Sequence, residues 1–286
     1  MVDRPTHSKK TAIITGASRG IGRSLAVYLD RQGYRVAVTA RSSKDLEALS
    51  QELSEDAVVV AADLASPDAV NSLIHEIKQR TGCIDVLINN AVYGGPIGPF
   101  LDSDPEDWWL AQEINLRGAM LCCRYVLPYM VSSTGGRIIN MSSSAGYQAI
   151  PGGSAYSFSK TALIRFSEQL AYELQDYPIS VWAMDPGAIK TDLTDRLTSK
   201  IPEIAAHFNV NSIDRVTDMV HFLLSGRADN LSGRMMDVRY DISFFQENYD
   251  RIVADEMFHL RLNNDYRYAD ILNKSATELD LTHISR

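Results

Sequence analysis

A glycine-rich stretch, Thr15-Gly16-Ala17-Ser18-Arg19-Gly20-Ile21-Gly22, carries the strongest prediction about the fold. It follows a β-branched run at 11–15 and precedes a helical pattern at 21–32. Glycines between a strand and a helix permit a tight turn, a close approach of the backbone to phosphate, and close packing of the helix on the sheet. The free N–H groups of the helix then attract the phosphates. The stretch therefore predicts a nucleotide site, with a purely structural turn as the less favoured alternative.

Outward from this loop, short β-branched runs alternate with helical patterns along the chain. The predicted strands are 11–15, 35–40, 57–61, 86–89, 137–141, 179–184 and 235–239. The predicted helices are 21–32, 44–53, 68–80, 105–132, 154–175 and 215–224. Seven strands separated by helices predict an α/β protein, a doubly wound, seven-stranded parallel sheet (a Rossmann fold) with helices on both faces. We expect a polar lead at 1–10, a single domain at 11–240 and a partly helical C-terminal extension at 241–286.

The composition narrows the class of protein further. The 286 residues are 45% apolar and carry 28 Lys and Arg against 36 Asp and Glu, a net charge of −8. This content is globular, and no basic tract is longer than Lys9-Lys10, so disorder and nucleic-acid or anionic-membrane binding are disfavoured. No apolar run approaches the roughly 18 residues of a spanning helix, and the lead does not resemble a secretory signal.

The cysteines indicate the compartment, and the spacing of cysteines and histidines bears on metal binding. The three cysteines, Cys83, Cys122 and Cys123, cannot form a full disulfide framework, so we expect reduced thiols and a cytoplasmic protein. No histidine or cysteine pair has metal-ligand spacing, so no metal site is expected.

The end of the second predicted strand indicates which dinucleotide binds. A carboxylate there would bind the adenosine ribose and repel a 2′-phosphate, but the chain has Ala40-Arg41-Ser42. Arg41, with Arg19 of the glycine loop, can bind that phosphate, which favours NADP(H) over NAD(H). Asp63-Leu64 is placed to flank the adenine ring, although Asp63 could equally cap the helix after Pro67.

A second set of residues predicts acid–base chemistry. Tyr156 and Lys160 stand four residues apart on a predicted helix and therefore share one face. A neighbouring cation stabilises a phenolate and lowers the tyrosine pKa from its ordinary value near 10. Ser143 lies 13 residues before the tyrosine, at the end of a strand.

Taken together, these motifs resemble the short-chain dehydrogenase/reductase superfamily, in its TGxxxGxG and YxxxK branch. The resemblance covers about residues 10–240. The residues that carry it are Thr15 to Gly22, Asp63-Leu64, Asn89-Asn90-Ala91, Asn115, Ser143, Tyr156, Lys160 and Pro186-Gly187-Ala188-Ile189-Lys190-Thr191.

The resemblance implies a role for each matching residue. Tyr156 would exchange a proton with the substrate oxygen, Ser143 would orient that oxygen, and Lys160 would lower the tyrosine pKa and hold the nicotinamide ribose. Asn115 would anchor a water that links Lys160 to solvent. The implied cofactor-binding residues are Gly16, Ser18, Arg19, Gly20, Ile21, Gly22, Arg41, Ser42, Asp63, Leu64, Asn90, Ala91, Tyr156, Lys160, Pro186, Gly187, Ile189 and Thr191.

The implied activity is NADP(H)-dependent hydride transfer to or from a carbonyl or secondary alcohol of a small organic molecule. The alternatives are an NAD-dependent alcohol dehydrogenase and a non-catalytic nucleotide-sensing or scaffold protein on the same fold. The family also implies a homodimer or homotetramer through the helices at 105–132 and 154–175. Candidate interface residues there are Tyr125, Met130, Phe166, Tyr172 and Leu174.

Two positions depart from the family pattern. Val92 stands where the family commonly has glycine, so we expect a modest change of loop geometry. Arg239-Tyr240-Asp241 replaces paired glycines after the last strand. The extension behind it could cap the substrate cleft or simply wrap the surface, and the two readings have equal weight.

The sequence identifies the residues that contact the substrate less precisely than those that bind the cofactor. Contacts are expected from 93–96, from 145–153 and from a mobile lid at 192–211. Four residues could line an apolar pocket or belong to the core: Tyr93, Tyr147, Phe158 and Met184. The pair Trp108-Trp109 is expected to pack against a neighbouring element or subunit instead of binding substrate.

Overall fold

A computed structural model describes residues 9–202 and 210–261, and it shows one parallel sheet with the strand order β3-β2-β1-β4-β5-β6-β7. The predicted seven-stranded α/β fold is confirmed. The order reverses between β1 and β4, and in open α/β sheets the crevice at this point, outside the carboxyl ends of the strands, is the usual ligand site. The strands are β1 Thr11–Thr15, β2 Arg35–Ala40, β3 Val58–Ala61, β4 Val86–Asn89, β5 Gly136–Met141, β6 Ile179–Asp185 and β7 Met235–Asp237.

Helices cover both faces of the sheet, because consecutive side chains of each strand point to opposite sides. Ile14 packs in one hydrophobic cluster, with residues of α1 and α8, and Ile13 packs in the other, with residues of α3 and α5. The helices are α1 Gly20–Arg31, α2 Ser43–Ser50, α3 Pro67–Thr81, α4 Pro105–Gln112, α5 Gly118–Val131, α6 Ser154–Glu173, α7 Asp192–Lys200, α8 Ile213–Leu224, α9 Ile242–Glu247 and α10 Tyr249–Ala254.

The helix predicted at 105–132 is not continuous, so that prediction was wrong in detail. A π-helical turn at Glu113–Arg117 separates α4 from α5. The last strand is also shorter than predicted. It ends at Asp237 because the backbone N–H of Arg239 donates to the Asp237 carboxylate (2.9 Å) instead of continuing the ladder.

The described part of the C-terminal extension packs on the edge of the sheet. Phe245 and Ile252, on the short helices α9 and α10, are almost fully buried and join the cluster that contains α1 and α8. The N–H of Met235 in β7 donates to the carbonyl of Phe258 (2.9 Å). Residues 241–261 therefore wrap the surface beside β7, and 262–286 lie outside the described residues, as do 1–8 of the predicted lead.

Other sequence expectations concern thiols and membranes. All three cysteines are free thiols, and Cys122 and Cys123 are buried in the cluster that contains α3 and α5. Within 9–202 and 210–261, every helix is too short or too polar to cross a bilayer.

Candidate active site

The glycine loop lies where the sequence predicts it, between β1 and α1. Gly16 and Gly20 have positive φ angles of +64° and +55°, which side chains rarely adopt. A Cβ on Gly22 would lie 2.4 Å from the Gly16 carbonyl oxygen and 2.5 Å from Asn90 Nδ2. Helix α1 begins at Gly20, and Arg19 before it makes no side-chain cap. The helix thus presents backbone N–H groups toward the loop, as an anion site requires.

Residues after β4 hold this loop in place. Asn90 Nδ2 donates to the carbonyls of Thr15 (2.9 Å) and Gly16 (3.1 Å). The backbone N–H groups of Asn90 and Ala91 both donate to the Thr15 hydroxyl, each at 3.0 Å. Sequence reasoning missed this role of Thr15, and the separation of 75 residues between Thr15 and Asn90 explains why.

The residues assigned to the adenosine end lie along the edge of the sheet. Arg41 is exposed after β2, and no described residue pairs with its guanidinium. The exposed Arg19 forms an ion pair with Asp192 at the start of α7 (2.7 Å). Ser42 caps α2 by accepting from the N–H of Asp45 (3.2 Å).

Asp63 and Leu64 differ in environment. Asp63 accepts from the N–H of Ala65 (3.0 Å), whereas the cap of α3 is Ser66, which accepts from Ala69. The alternative that Asp63 caps this helix was therefore wrong, because Ser66 directly precedes the helix start. Leu64 is buried against Gly118.

Tyr156, Ser143 and Lys160 meet at the carboxyl ends of β5 and β6. Lys160 is 3% exposed, its Nζ donates to the carbonyl of Met141 (2.6 Å), and it lies 5.5 Å from the centre of the Tyr156 ring. Ser143 ends in the cleft, whereas the neighbouring Ser142 is buried and donates to the Lys160 carbonyl (3.1 Å). Ser144 also lines the cleft, so two of the three consecutive serines after β5 reach it.

The electrostatics of this group differ from the expectation. Burial lowers the pKa of Lys160 to about 8. Burial also raises the pKa of Tyr156 to about 12, with hydrogen bonding from Ser143 opposing the rise and the negative charge of Asp185 adding to it. The tyrosine pKa thus lies above its ordinary value instead of below, because desolvation of the phenolate outweighs the stabilising contacts.

Asn115 occupies the π-helical turn and is 2% exposed. Its Oδ1 accepts from the N–H of Tyr93 (2.7 Å), and its Nδ2 donates to the Tyr93 carbonyl (2.8 Å) and to Ser159 Oγ (3.0 Å). The side chain therefore ties the loop after β4 to α6, and its role toward a water stays a prediction. Val92 in that loop is 41% exposed and does not have a positive φ.

The segment after β6 contacts the glycine loop. Gly187 has a φ of +67°, and its N–H donates to Asp185 (2.8 Å). Thr191 caps α7 and lies beside Gly20, where an added Cβ would be 3.3 Å from its methyl group. Ile189 is almost fully buried. The predicted lid at 192–211 contains α7, while 203–209 lie outside the described residues.

A cleft of about 500 Å³ opens in front of Tyr156 and Ser143. Its walls include Gly94, Ile97, Gln148, Ile150, Leu193 and Leu197, so all three predicted loops contribute. None of the four suggested aromatic or Met residues is among its lining residues. Met184 is fully buried in the core, and Phe158 packs on Trp108, which also donates to Ser154 (3.0 Å).

Asp185 and Arg239 line the cleft and belong to a polar cluster that contains two buried carboxylates, those of Asp185 and Asp237. Arg239 Nε lies 3.0 Å from both carboxylate oxygens of Asp237, and its Nη2 contacts the Tyr147 hydroxyl. Asp185 Oδ2 accepts no hydrogen bond from a described residue. Burial raises the pKa of Asp185, and the charge of Asp237 adds to the rise. The one feature of the sequence that pointed to this cluster was Arg239, which stands where the family commonly has paired glycines.

The site contains no candidate metal centre among the described residues. It combines a glycine loop for phosphates, a phenol and a hydroxyl directed at one cleft, and a buried amine behind them. This arrangement can hold a dinucleotide and exchange a proton with an oxygen in the cleft.

Known proteins share both the sequence and the architecture. A family model described as short chain dehydrogenase matches residues 10–202. A 3-oxoacyl-(acyl-carrier-protein) reductase of Staphylococcus aureus is 34% identical over 237 residues, which are 80% of this chain and 96% of the relative.

Two solved structures illustrate the same likeness. An NAD+-bound xylitol dehydrogenase has a TM-score of 0.75 at 27% identity, over 82% of this chain and 98% of its own. A single-site variant of an actinorhodin polyketide ketoreductase, solved with NADPH, has a TM-score of 0.73 at 28% identity, over 80% of this chain and 95% of its own. The chain is therefore an oxidoreductase that belongs to the short-chain dehydrogenase/reductase superfamily.

Proposed function

We propose that this oxidoreductase uses NADP(H) to interconvert a carbonyl and a secondary alcohol of a small organic substrate, with Tyr156 as general acid/base. The observation that carries the proposal is that Tyr156 and Ser143 both line one cleft of about 500 Å³, with the buried Lys160 amine 5.5 Å from the centre of the Tyr156 ring. The names of two relatives, a 3-oxoacyl-(acyl-carrier-protein) reductase and a polyketide ketoreductase, support a carbonyl substrate.

The residues present fit a dinucleotide. The backbone around Gly16 and Gly22 leaves no space for side chains, and the first turn of α1 has neither a side-chain cap nor an acidic residue. Ser18, Gly20 and Ile21 would hold the pyrophosphate through backbone N–H groups. The remaining contacts would come from Asp63 and Leu64 at the adenine, Asn90, Ala91 and Lys160 at the nicotinamide ribose, and Pro186, Gly187, Ile189 and Thr191 at the nicotinamide.

The preference for NADP(H) rests on Arg41. Its exposed guanidinium has no partner among the described residues and follows β2 where a carboxylate would select NAD(H). Arg19 would add a second cation after leaving Asp192. Structures of relatives contain NAD+ in one case and NADPH in another, so the relatives do not select one cofactor. The preference is therefore argued from Arg41, Arg19 and Ser42 of this chain.

The proton chemistry follows from the burial of the catalytic group. With a pKa of about 12, Tyr156 is fully protonated at neutral pH and is ready to donate to a substrate oxygen that Ser143 orients. Lys160, with a pKa of about 8, exchanges protons near neutral pH and would resupply the tyrosine. The bound cofactor would supply or accept the hydride.

We also propose that the protein is a homodimer or homotetramer through α5 and α6. The exposed apolar side chains there and on α4 are Trp109, Leu110, Val131, Phe158 and Tyr172. Of the interface candidates from the sequence, Met130 and Leu174 are buried in the core of the single chain, because they face the sheet. Tyr172, at 68% exposed, remains the best candidate.

The test is oxidation of NADPH and NADH by purified protein over aldehydes, ketones, quinones, sugars and acyl thioesters. We expect NADPH turnover that Tyr156→Phe reduces by about 10²- to 10⁴-fold. Tyr28→Phe is the matched control, because the Tyr28 hydroxyl lies near His221 (3.2 Å) on α8, away from the cleft. Turnover of NADH alone would establish the NAD-dependent alternative. Tight NADPH binding without turnover, and with no effect of Tyr156→Phe, would establish the scaffold alternative.

A further inference from the structure

A second cavity, of about 730 Å³, opens at the amino ends of the strands. Lys10 before β1, Gly136 in β5 and Ile179 in β6 lie in its wall. The catalytic cleft opens at the carboxyl ends. Strands of five to seven residues, at about 3.3 Å per residue, place the two openings on the order of 20 Å apart. The second cavity is therefore separate from the catalytic site.

Arg234, just before β7, is the unusual residue of this cavity. It is only 9% exposed, and its Nε is buried with no hydrogen-bond partner. Across the described chain, its guanidinium forms no hydrogen bond and no ion pair. The other arginines of the cavity are paired, Arg137 with Asp229 (2.7 Å) and Arg261 with Glu168 (2.7 Å). A buried charge without a partner is unfavourable, so this site is incomplete among residues 9–202 and 210–261.

The two carboxylates whose charges act on Arg234 already have partners. Glu168 on α6 accepts from Arg165 (2.7 Å) and Arg261 (2.7 Å) and lies 3.2 Å from His259 Nδ1. Glu256 accepts from Arg261 (3.2 Å). Three guanidinium groups, those of Arg165, Arg234 and Arg261, therefore face two carboxylates. Burial lowers the pKa of Arg234 and the charge of Arg261 adds to the lowering, while the charges of Glu256 and Glu168 oppose it.

We infer that this cavity binds a small oxyanion, a free phosphate or carboxylate compound, which the Arg234 guanidinium holds by charge-assisted hydrogen bonds. A planar guanidinium matches two oxygens of such a group. Arg261 lines the same cavity and adds positive potential around it. The site would respond to a ligand other than the substrate or the cofactor, since neither reaches this end of the sheet.

The experiment compares thermal unfolding of the full chain in phosphate and in citrate, at constant ionic strength. For the wild type we expect a saturating anion to raise Tm by roughly 5 °C. Arg234→Met removes the unpaired charge, so this variant should be at least as stable as the wild type without anion and should not respond to it. Arg31→Met, an exposed arginine of α1, is the matched control and should respond like the wild type.

Isothermal titration with inorganic phosphate and with citrate gives the second readout, a Kd that Arg234→Met should weaken at least about tenfold. NADPH turnover should be unchanged in this variant, so failure of the anion site is distinguishable from failure of the proposed function. The inference is overturned if neither anion raises the wild-type Tm, or if Arg234→Met responds as the wild type does. It is also overturned if the variant is less stable in every buffer, because Arg234 would then be paired within the protein.

Discussion

Nη2 of Arg239 lies 3.6 Å from Oδ2 of Asp185, and this ion pair joins the ends of β7 and β6 beside the catalytic cleft. The same guanidinium holds Asp237, whose side chain is 5% exposed. Arg239→Met would leave two buried carboxylates without their cation. We expect it to lower the free energy of unfolding by about 2 to 3 kcal/mol, measured by urea denaturation at pH 7.

Two further variants make this measurement specific. Arg239→Lys should recover only part of the lost free energy of unfolding, because an ammonium cannot reproduce the bidentate contact of a guanidinium with a carboxylate. Arg251→Met removes an exposed ion pair with Asp255 and should cost less than about 0.5 kcal/mol. Equal effects of Arg239→Met and Arg251→Met would show that the cluster contributes no more than a surface pair.

The charge of Asp185 raises the pKa of Tyr156, and Asp185→Asn removes that charge. An amide oxygen can still accept the hydrogen bond from Gly187. Carbonyl reduction needs protonated tyrosine, so kcat/KM falls as the pH rises through the tyrosine pKa. The alkaline limb of the profile should therefore move to lower pH, by on the order of one pH unit.

The matched control for this profile is Asp176→Asn, which neutralises an exposed carboxylate after α6. Its alkaline limb should coincide with that of the wild type. A limb that stays in place or moves upward in Asp185→Asn would mean that Asp185 is uncharged in the active enzyme or that another group titrates.

The parts of the molecule that the sequence predicted depend on local chemistry. The strands follow from β-branched runs, the glycine loop from backbone angles at Gly16 and Gly20, and the shared face of Tyr156 and Lys160 from helical spacing. Each of these requirements involves residues within one or two elements, so the pattern is visible along the chain.

The parts that were missed depend on partners that are distant in sequence. The π-helical turn is accompanied by contacts of Asn115 with Tyr93 and Ser159, which are 22 and 44 residues away. Arg19 was expected to be available for phosphate, but Asp192, 173 residues later, pairs with it. Such contacts exist only once the strands have assembled, and residue periodicity does not report them.

Lys160→Met tests the buried amine. The pKa of Lys160 is about 8 in the folded protein and near its ordinary 10.5 in the unfolded chain. Between these values the unfolded chain binds more protons, so this group makes stability rise with pH, by up to about 1.4 kcal/mol per pH unit. The variant should lack that rise between about pH 8 and 10.

The measurement is urea denaturation of both proteins at about pH 8 and about pH 9.5, below the range in which Tyr156 titrates. Near neutral pH the variant should be at least as stable as the wild type, because a buried charge is replaced by an apolar side chain. Carbonyl reduction should nevertheless be lost. An unchanged pH slope would mean that Lys160 keeps its ordinary pKa.

Arg41→Ala tests the cofactor preference. Loss of a charge-assisted contact to the 2′-phosphate should raise the KM for NADPH by roughly 10- to 100-fold and leave the KM for NADH within about twofold. Arg19→Ala should have a smaller effect, because Arg19 must first leave Asp192. Equal changes for both cofactors would assign Arg41 to general electrostatic attraction instead of phosphate recognition.

Gly22→Ala tests whether close packing of the glycine loop is needed for cofactor binding. The new Cβ would meet the Gly16 carbonyl at 2.4 Å and Asn90 Nδ2 at 2.5 Å, and both atoms belong to the hydrogen-bonded frame of the loop. The loop must shift, so we expect a loss of about 1 to 3 kcal/mol in stability. We also expect at least a roughly tenfold weaker Kd for NADPH in fluorescence titration.

Gly33→Ala is the matched control for that variant, at the other end of α1. Gly33 has a φ of +85° but no atom within 4 Å of an added Cβ, so only backbone strain of about 1 kcal/mol is expected. Both variants should therefore lose stability, while only Gly22→Ala should lose NADPH affinity. If Gly33→Ala weakened binding equally, the loss would reflect destabilisation of α1. Retained affinity in Gly22→Ala would show that close packing of this loop is not needed to hold the phosphates.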